Sequence, residues 1–108
     1  MRESKAESIK RVAKLVEKVR QCEQAMAAAG NPMHEKVEQF GFELRTELGR
    51  LGGGEADLAS EAAVPDVTTA VDSALEHYGE ALNTNLPARA RAMLIRQSDE
   101  LILIKRAA

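Results

Sequence analysis

His34 and His77 are the only imidazoles in the chain, and each could hold a metal only with carboxylates beside it. The paired-metal centre of helical bundles takes a Glu from each of two helices and a Glu-x-x-His from each of the other two. A spacing of three sets both side chains on one helix face. Here the residues three before the histidines are Asn31 and Ala74, so no Glu-x-x-His occurs. The sequence therefore argues against a standard di-iron centre within one chain. What keeps metal-binding character is Glu23, placed by spacing on the apolar stripe of a first helix, with His34 and Glu47 flanking a second. A carboxylate in such a place is more often paired across a packing seam than a ligand. His77 stands three residues before Glu80 on a helix flank, a spacing permissive for weak metal contact but far from specific. Cys22 has no His or base nearby to activate it and reads as a small buried hydrophobe.

The elements that must position these residues follow from apolar periodicity. Ser4 and Glu7 match a capping box, and Ile9, Val12, Val16, Val19 and Met26 then recur at helical spacing, with Leu15 and Cys22 at the stripe's edge. Gly30 stops this helix, and Asn31 and Pro32 read as the N-cap and first position of the next. Its stripe is Met33, Val37, Phe40, Leu44, Leu48 and Leu51, ending at Gly52. A third stripe runs Val67, Val71, Ala74, Leu75, Tyr78, Leu82, and a fourth Ala90, Leu94, Leu101, Ile104, with Gln97 on it. The expected helices are about 5–29, 32–51, 65–83 and 87–106, in a single domain over 1–108. Residues 52–64 are the connection, long enough when extended, at roughly 40 Å, to cross a bundle from end to end. Gly41 on the inner face and Gly49 near the helix end would allow close backbone approach, at about 1 kcal/mol of helix propensity each.

Composition narrows the classes of function. With 15 Lys plus Arg, 17 Asp plus Glu, one Cys, one Tyr and two Phe, nucleic-acid binding is not expected, since that calls for a basic face and often stacking rings. No apolar run approaches the roughly 18 residues of a membrane span. The lone cysteine and the lack of a leader-like N-terminus point to a reducing, cytoplasmic setting. From Leu51 to Ala88 there is no Lys or Arg, whereas the first twenty residues are rich in them. Such opposite charge could steer helices together within one chain or between chains.

ELRTELGRLGG and LEHYGEALNTNLPARARAMLIRQ resemble a bacterial ferritin-like helical-bundle family catalogued as domain of unknown function 2383. The matching positions are Leu51, Gly52 and Gly53, then Tyr78, Ala81, Leu82, Leu86 and Pro87, then Met93, Leu94, Arg96 and Gln97. The resemblance covers roughly residues 33–54 and 70–105, and this chain departs from the pattern in a shorter crossover and a weakly matching first helix. It implies an all-α, ferritin-like four-helix bundle of two antiparallel helical hairpins joined by a long crossover.

The expected role is that of a non-catalytic or metal-degenerate module with no cofactor, acting through self-association or a protein partner. Phe42 falls opposite the second stripe, and Ile95, Ile102 and Leu103 wrap the last helix with apolar surface beyond what one core needs. These four are the expected self-association residues of a homo-oligomer. The alternatives are a site for iron or another divalent metal completed between subunits by Glu23, His34 and Glu47, and an adaptor that docks another protein through its acidic middle segment or basic first helix.

Overall fold

Gly30 and Gly52 end the first two helices by the same device, because both lie in the left-handed region at φ 73° and 96°. A glycine there lets the next amide turn back and close the orphan carbonyls. Asn31 N–H donates to Met26 O at 2.9 Å and Gly30 N–H to Ala27 O at 3.0 Å, while Gly53 N–H donates to Leu48 O and Gly52 N–H to Gly49 O, both at 3.0 Å. The computed structural model describes residues 5–53 and 65–107. Among them the chain is all-helical, with α1 Lys5–Ala28, α2 His34–Arg50, α3 Val67–Leu82 and α4 Ala88–Ala107 and no strand. The serine of the capping box, the acidic run through Glu55, Asp57 and Glu61, and the connection from residue 54 to 64 lie outside the described residues.

The helix starts differ in mechanism. Asn31, expected as the N-cap of the second helix, instead closes an Asx turn ahead of it, its Oδ1 accepting from Met33 N–H at 2.9 Å, and Met33 is the N-cap, with no side-chain cap bond. The first turn is wound through three-residue bonds, His34 N–H to Asn31 O and Lys36 N–H to Met33 O, both at 3.1 Å, so regular α2 begins two residues later than expected. Asp66 is the N-cap of α3. Its extended backbone (ψ 163°) lets the carboxylate accept from Thr69 N–H at 3.3 Å and from Thr69 Oγ1 at 2.6 Å. Those bonds hold its carboxyl below the usual carboxylate range.

The four stripes meet in one core that includes Leu15, Met26, Phe40, Leu44, Tyr78 and Leu94. Each such side chain contributes roughly 1.5–3 kcal/mol by leaving water. Backbones approach closely between α1 and α2, α1 and α3, and α3 and α4. Residue numbers rise on one helix as they fall on its neighbour. Ser8 Oγ and Arg11 of α1 reach Asn85 O and Glu80, Lys105 of α4 pairs with Asp72 of α3, and Lys36, Glu43 and Glu47 of α2 meet Glu100, Arg96 and Arg89 of α4. The α2–α4 seam is bridged by long polar side chains.

Several expected placements shift. Leu15 and Cys22 are fully buried at the centre of the α1 stripe, and Glu23, expected on that centre, is a partly buried flank residue. The reason is that α1 packs against both α2 and α3, which widens its buried arc toward residues 15 and 22. Met33 opens onto solvent at the end of its stripe. Gly41 does not serve close approach to α1, because a Cβ there would sit 4.0 Å from Val19 Cγ1, an ordinary contact, and one at Gly49 would meet nothing within 4 Å.

Candidate functional site

The core contains one polar tier, supplied by three helices. Tyr78 of α3 lies on the apolar stripe and carries its hydroxyl into the interior, where it donates to Gln97 Oε1 of α4 at 2.7 Å. Gln97, fully buried, donates from Nε2 to Glu43 Oε1 of α2 at 2.8 Å and, more weakly, to Phe40 O at 3.5 Å. Arg96 Nη2 reaches the same Glu43 oxygen at 2.8 Å. The chain of charges continues to the surface through Glu100, which lies 3.8 Å from Arg96 and 2.9 Å from Lys36. Burial, with a smaller contribution from Cys22, pushes the Tyr78 phenol well above its ordinary range. It is therefore a donor at physiological pH, neither a base nor a nucleophile.

One turn further along α2 from Glu43, Glu47 is buried at 2% exposure, deeper than a flanking position implies. It tolerates this because the Arg89 guanidinium clasps both carboxylate oxygens, Nε at 3.3 Å and Nη2 at 3.0 Å, with Arg50 at 3.6 Å. A bidentate pair of this kind is a strong charge-assisted contact. In both clusters a guanidinium stands against a carboxylate of α2.

The metal candidates are not brought together within the chain. His34 and Glu47 are thirteen residues apart on α2, about 20 Å along the axis. Glu23 lies on α1 at the edge of the α1–α2 groove. Among the described residues no group of three His, Cys, Asp or Glu is placed to hold a metal ion. His77 Nδ1 is engaged with Ser73 O at 2.8 Å. Cys22 Sγ faces Met26 Sδ at 3.8 Å, and burial, then the charge of Glu23, pushes its thiol up to about 12. That thiol is a core side chain with almost no thiolate.

The open features lie outside the polar tier. Phe42, Ile95, Ile102 and Leu103 expose 56, 45, 37 and 63% of their surface. A cleft of about 390 Å³ between the start of α2 and the end of α4 is lined by Met33, Lys36, Glu100, Leu103 and Ile104. A groove of about 260 Å³ between α1 and α2 is floored by Val16, Val19, Val37 and Gly41, with Arg20, Glu23, Glu38, Phe42 and Arg45 at its rim. The Arg45 guanidinium lies 5.0 Å from the centroid of the Phe42 ring. No described helix is long and apolar enough to cross a membrane.

Glu43, Arg96 and the Tyr78 hydroxyl are absent from the residues that spacing singled out. A tyrosine on one inward stripe and a glutamine on another are nevertheless a usable signal, since each buried polar end needs a partner. No family model, curated protein or solved structure matches the chain, and the reading of its function rests on these residues alone.

Proposed function

We propose that the chain is a ferritin-like bundle whose metal centre is replaced by arginine–carboxylate and amide contacts, and that it acts by associating with copies of itself rather than by catalysis. The directions of the cross-helix pairs support two hairpins joined by a long crossover, the ferritin-like arrangement. The observation that carries the functional reading is the outward exposure of Phe42, Ile95, Ile102 and Leu103 from a core already closed by other residues. Large apolar side chains exposed beyond a filled core supply surface that association can bury, and a contiguous patch of them marks an interface. Arg96 on Glu43 and Arg89 on Glu47 support the metal-degenerate half of the reading, because each supplies locally the positive charge a cation would bring.

Light scattering on the purified chain across the micromolar range tests this directly. The expected mass is that of two or more chains, unchanged by chelator. A single-chain mass at every concentration overturns the reading, and stoichiometric metal whose removal dissociates the assembly shifts it to a site shared between subunits.

A further inference from the structure

The groove between α1 and α2 contains a self-complementary pattern. Glu38, Gly41, Phe42 and Arg45 lie on one side of α2, at spacings of three and four residues that stack side chains on one face. Glu38 stands three residues before Gly41 and Arg45 three residues after Phe42. The pattern is therefore centred between Gly41 and Phe42, with opposite charges at its two ends. An identical helix laid antiparallel across it brings Arg45 to Glu38, Glu38 to Arg45, and each Phe42 over the other's Gly41. We propose that this groove is the docking site of a second copy of the chain, through a two-fold pairing of α2 with the partner's α2. The proposal rests on the self-association reading above and names its geometry.

Four observations select this occupant. Gly41 lacks a side chain where α1 does not require it, because a Cβ would only touch Val19. A helix weakened there gains room for a ring from outside, at the 8–10 Å axis separation of packed helices. Phe42 is 56% exposed beside a groove floored by Val16, Val19 and Val37, so ring and receptor are on one surface. Glu38 has no ion-pair partner among the described residues, and the Arg45 guanidinium is already drawn over Phe42. Aromatic and arginine anchors with complementary charge at the edge are the pattern of a protein interface. A closed two-fold contact uses the same patch twice, as this centred pattern requires. Ile95 and Ile102 are exposed as well, yet they line neither of the two clefts described.

Sedimentation equilibrium of the full chain and four variants decides the matter, with circular dichroism to confirm folding. Arg45→Glu faces like charges across the axis twice and should raise the dimer dissociation constant at least about tenfold. Glu38→Arg should do the same. The double variant Glu38→Arg/Arg45→Glu restores opposite charges and should return the constant to within about threefold of the parent. Phe42→Ala should weaken the dimer without charge dependence. If the parent is a dimer that neither Arg45→Glu nor Phe42→Ala disturbs, the α2 pairing is wrong while self-association stands. A double variant no better than its singles also overturns the pairing. If the parent is monomeric throughout, both the pairing and the self-association reading fall.

Discussion

The two sides of α2 handle the same residue types in opposite ways. Toward α4, Lys36, Glu43 and Glu47 each find a partner at 2.8–3.0 Å, and Glu47 is drawn almost wholly out of water. Toward the α1–α2 groove, Glu38 and Arg45 stand at a rim, and the aromatic ring between them is more than half exposed. Charge alone does not distinguish the sides, because both carry acids and bases. The difference is whether a neighbouring helix brings complementary groups to them. A carboxylate with a bidentate arginine is a finished structural contact, whereas a charged rim around an apolar floor is a surface prepared for something else.

Three measurements press on this contrast. The largest effect is a reaction rate at two consecutive residues of α1. Cys22 points into the closed core and Glu23 into the groove. A thiol raised from 9.0 to about 12 carries about a thousandfold less thiolate at a given pH below both values. Alkylation of native protein at mildly alkaline pH should therefore be slower than in denaturant by about that factor. Glu23→Cys in a Cys22→Ala background should react at nearly the denatured rate. Equal, slow rates at both positions would show that the groove is closed.

Next in size is the cost of breaking the polar tier. Gln97→Leu leaves the Tyr78 hydroxyl buried without an acceptor, and denaturant unfolding should report a loss of roughly 1–3 kcal/mol. Adding Tyr78→Phe removes the stranded group, so the double variant should be less destabilised than the two single losses combined. Glu38→Leu, on the open side, should stay within about 0.5 kcal/mol of the parent. Similar losses at positions 97 and 38 would erase the distinction between the sides.

The smallest effect carries information in its sign. Gly41→Ala should raise the chain's own stability by about 1 kcal/mol, since helix propensity improves and the new methyl meets only an ordinary contact with Val19. The same methyl narrows the groove, so self-association should weaken as unfolding stability rises. Movement of both quantities in the same direction would mean that nothing docks at Gly41.

Much of this contrast is legible in the amino-acid sequence, and the limits of that legibility are physical. The stripe of α4 matches its buried residues, that of α2 does so apart from exposed Met33 and buried Glu47, and that of α3 finds Val71, Ala74 and Tyr78 but passes over the small buried Ala70 and Ala81. By spacing alone the stripe of α1 centres on Glu23 instead of Cys22, because a helix packed against two neighbours buries a wider arc than one. The exposure of Phe42, Ile95, Ile102 and Leu103 was legible as residues opposite or beyond those stripes. The polar tier was not. Arg96 and Glu43 reach inward from helix flanks by the length of their side chains, a freedom that periodicity does not encode. Glu47 gave no sign of its burial because its compensation comes from Arg89, forty-two residues away.

The tyrosine–glutamine contact bears also on which alternative packings the chain must avoid. A core of Val, Leu and Ala side chains is chemically uniform along its length, so sliding one helix past another by a turn would exchange one apolar neighbour for a similar one. Tyr78 and Gln97 interrupt that uniformity at a single level of the bundle. Any such slip strands a hydroxyl and an amide in hydrocarbon, a penalty of roughly 1–3 kcal/mol for each. The contact thus acts as a notch that sets the longitudinal alignment of α3 on α4. Its main energetic work is to separate the native alignment from near-degenerate competitors.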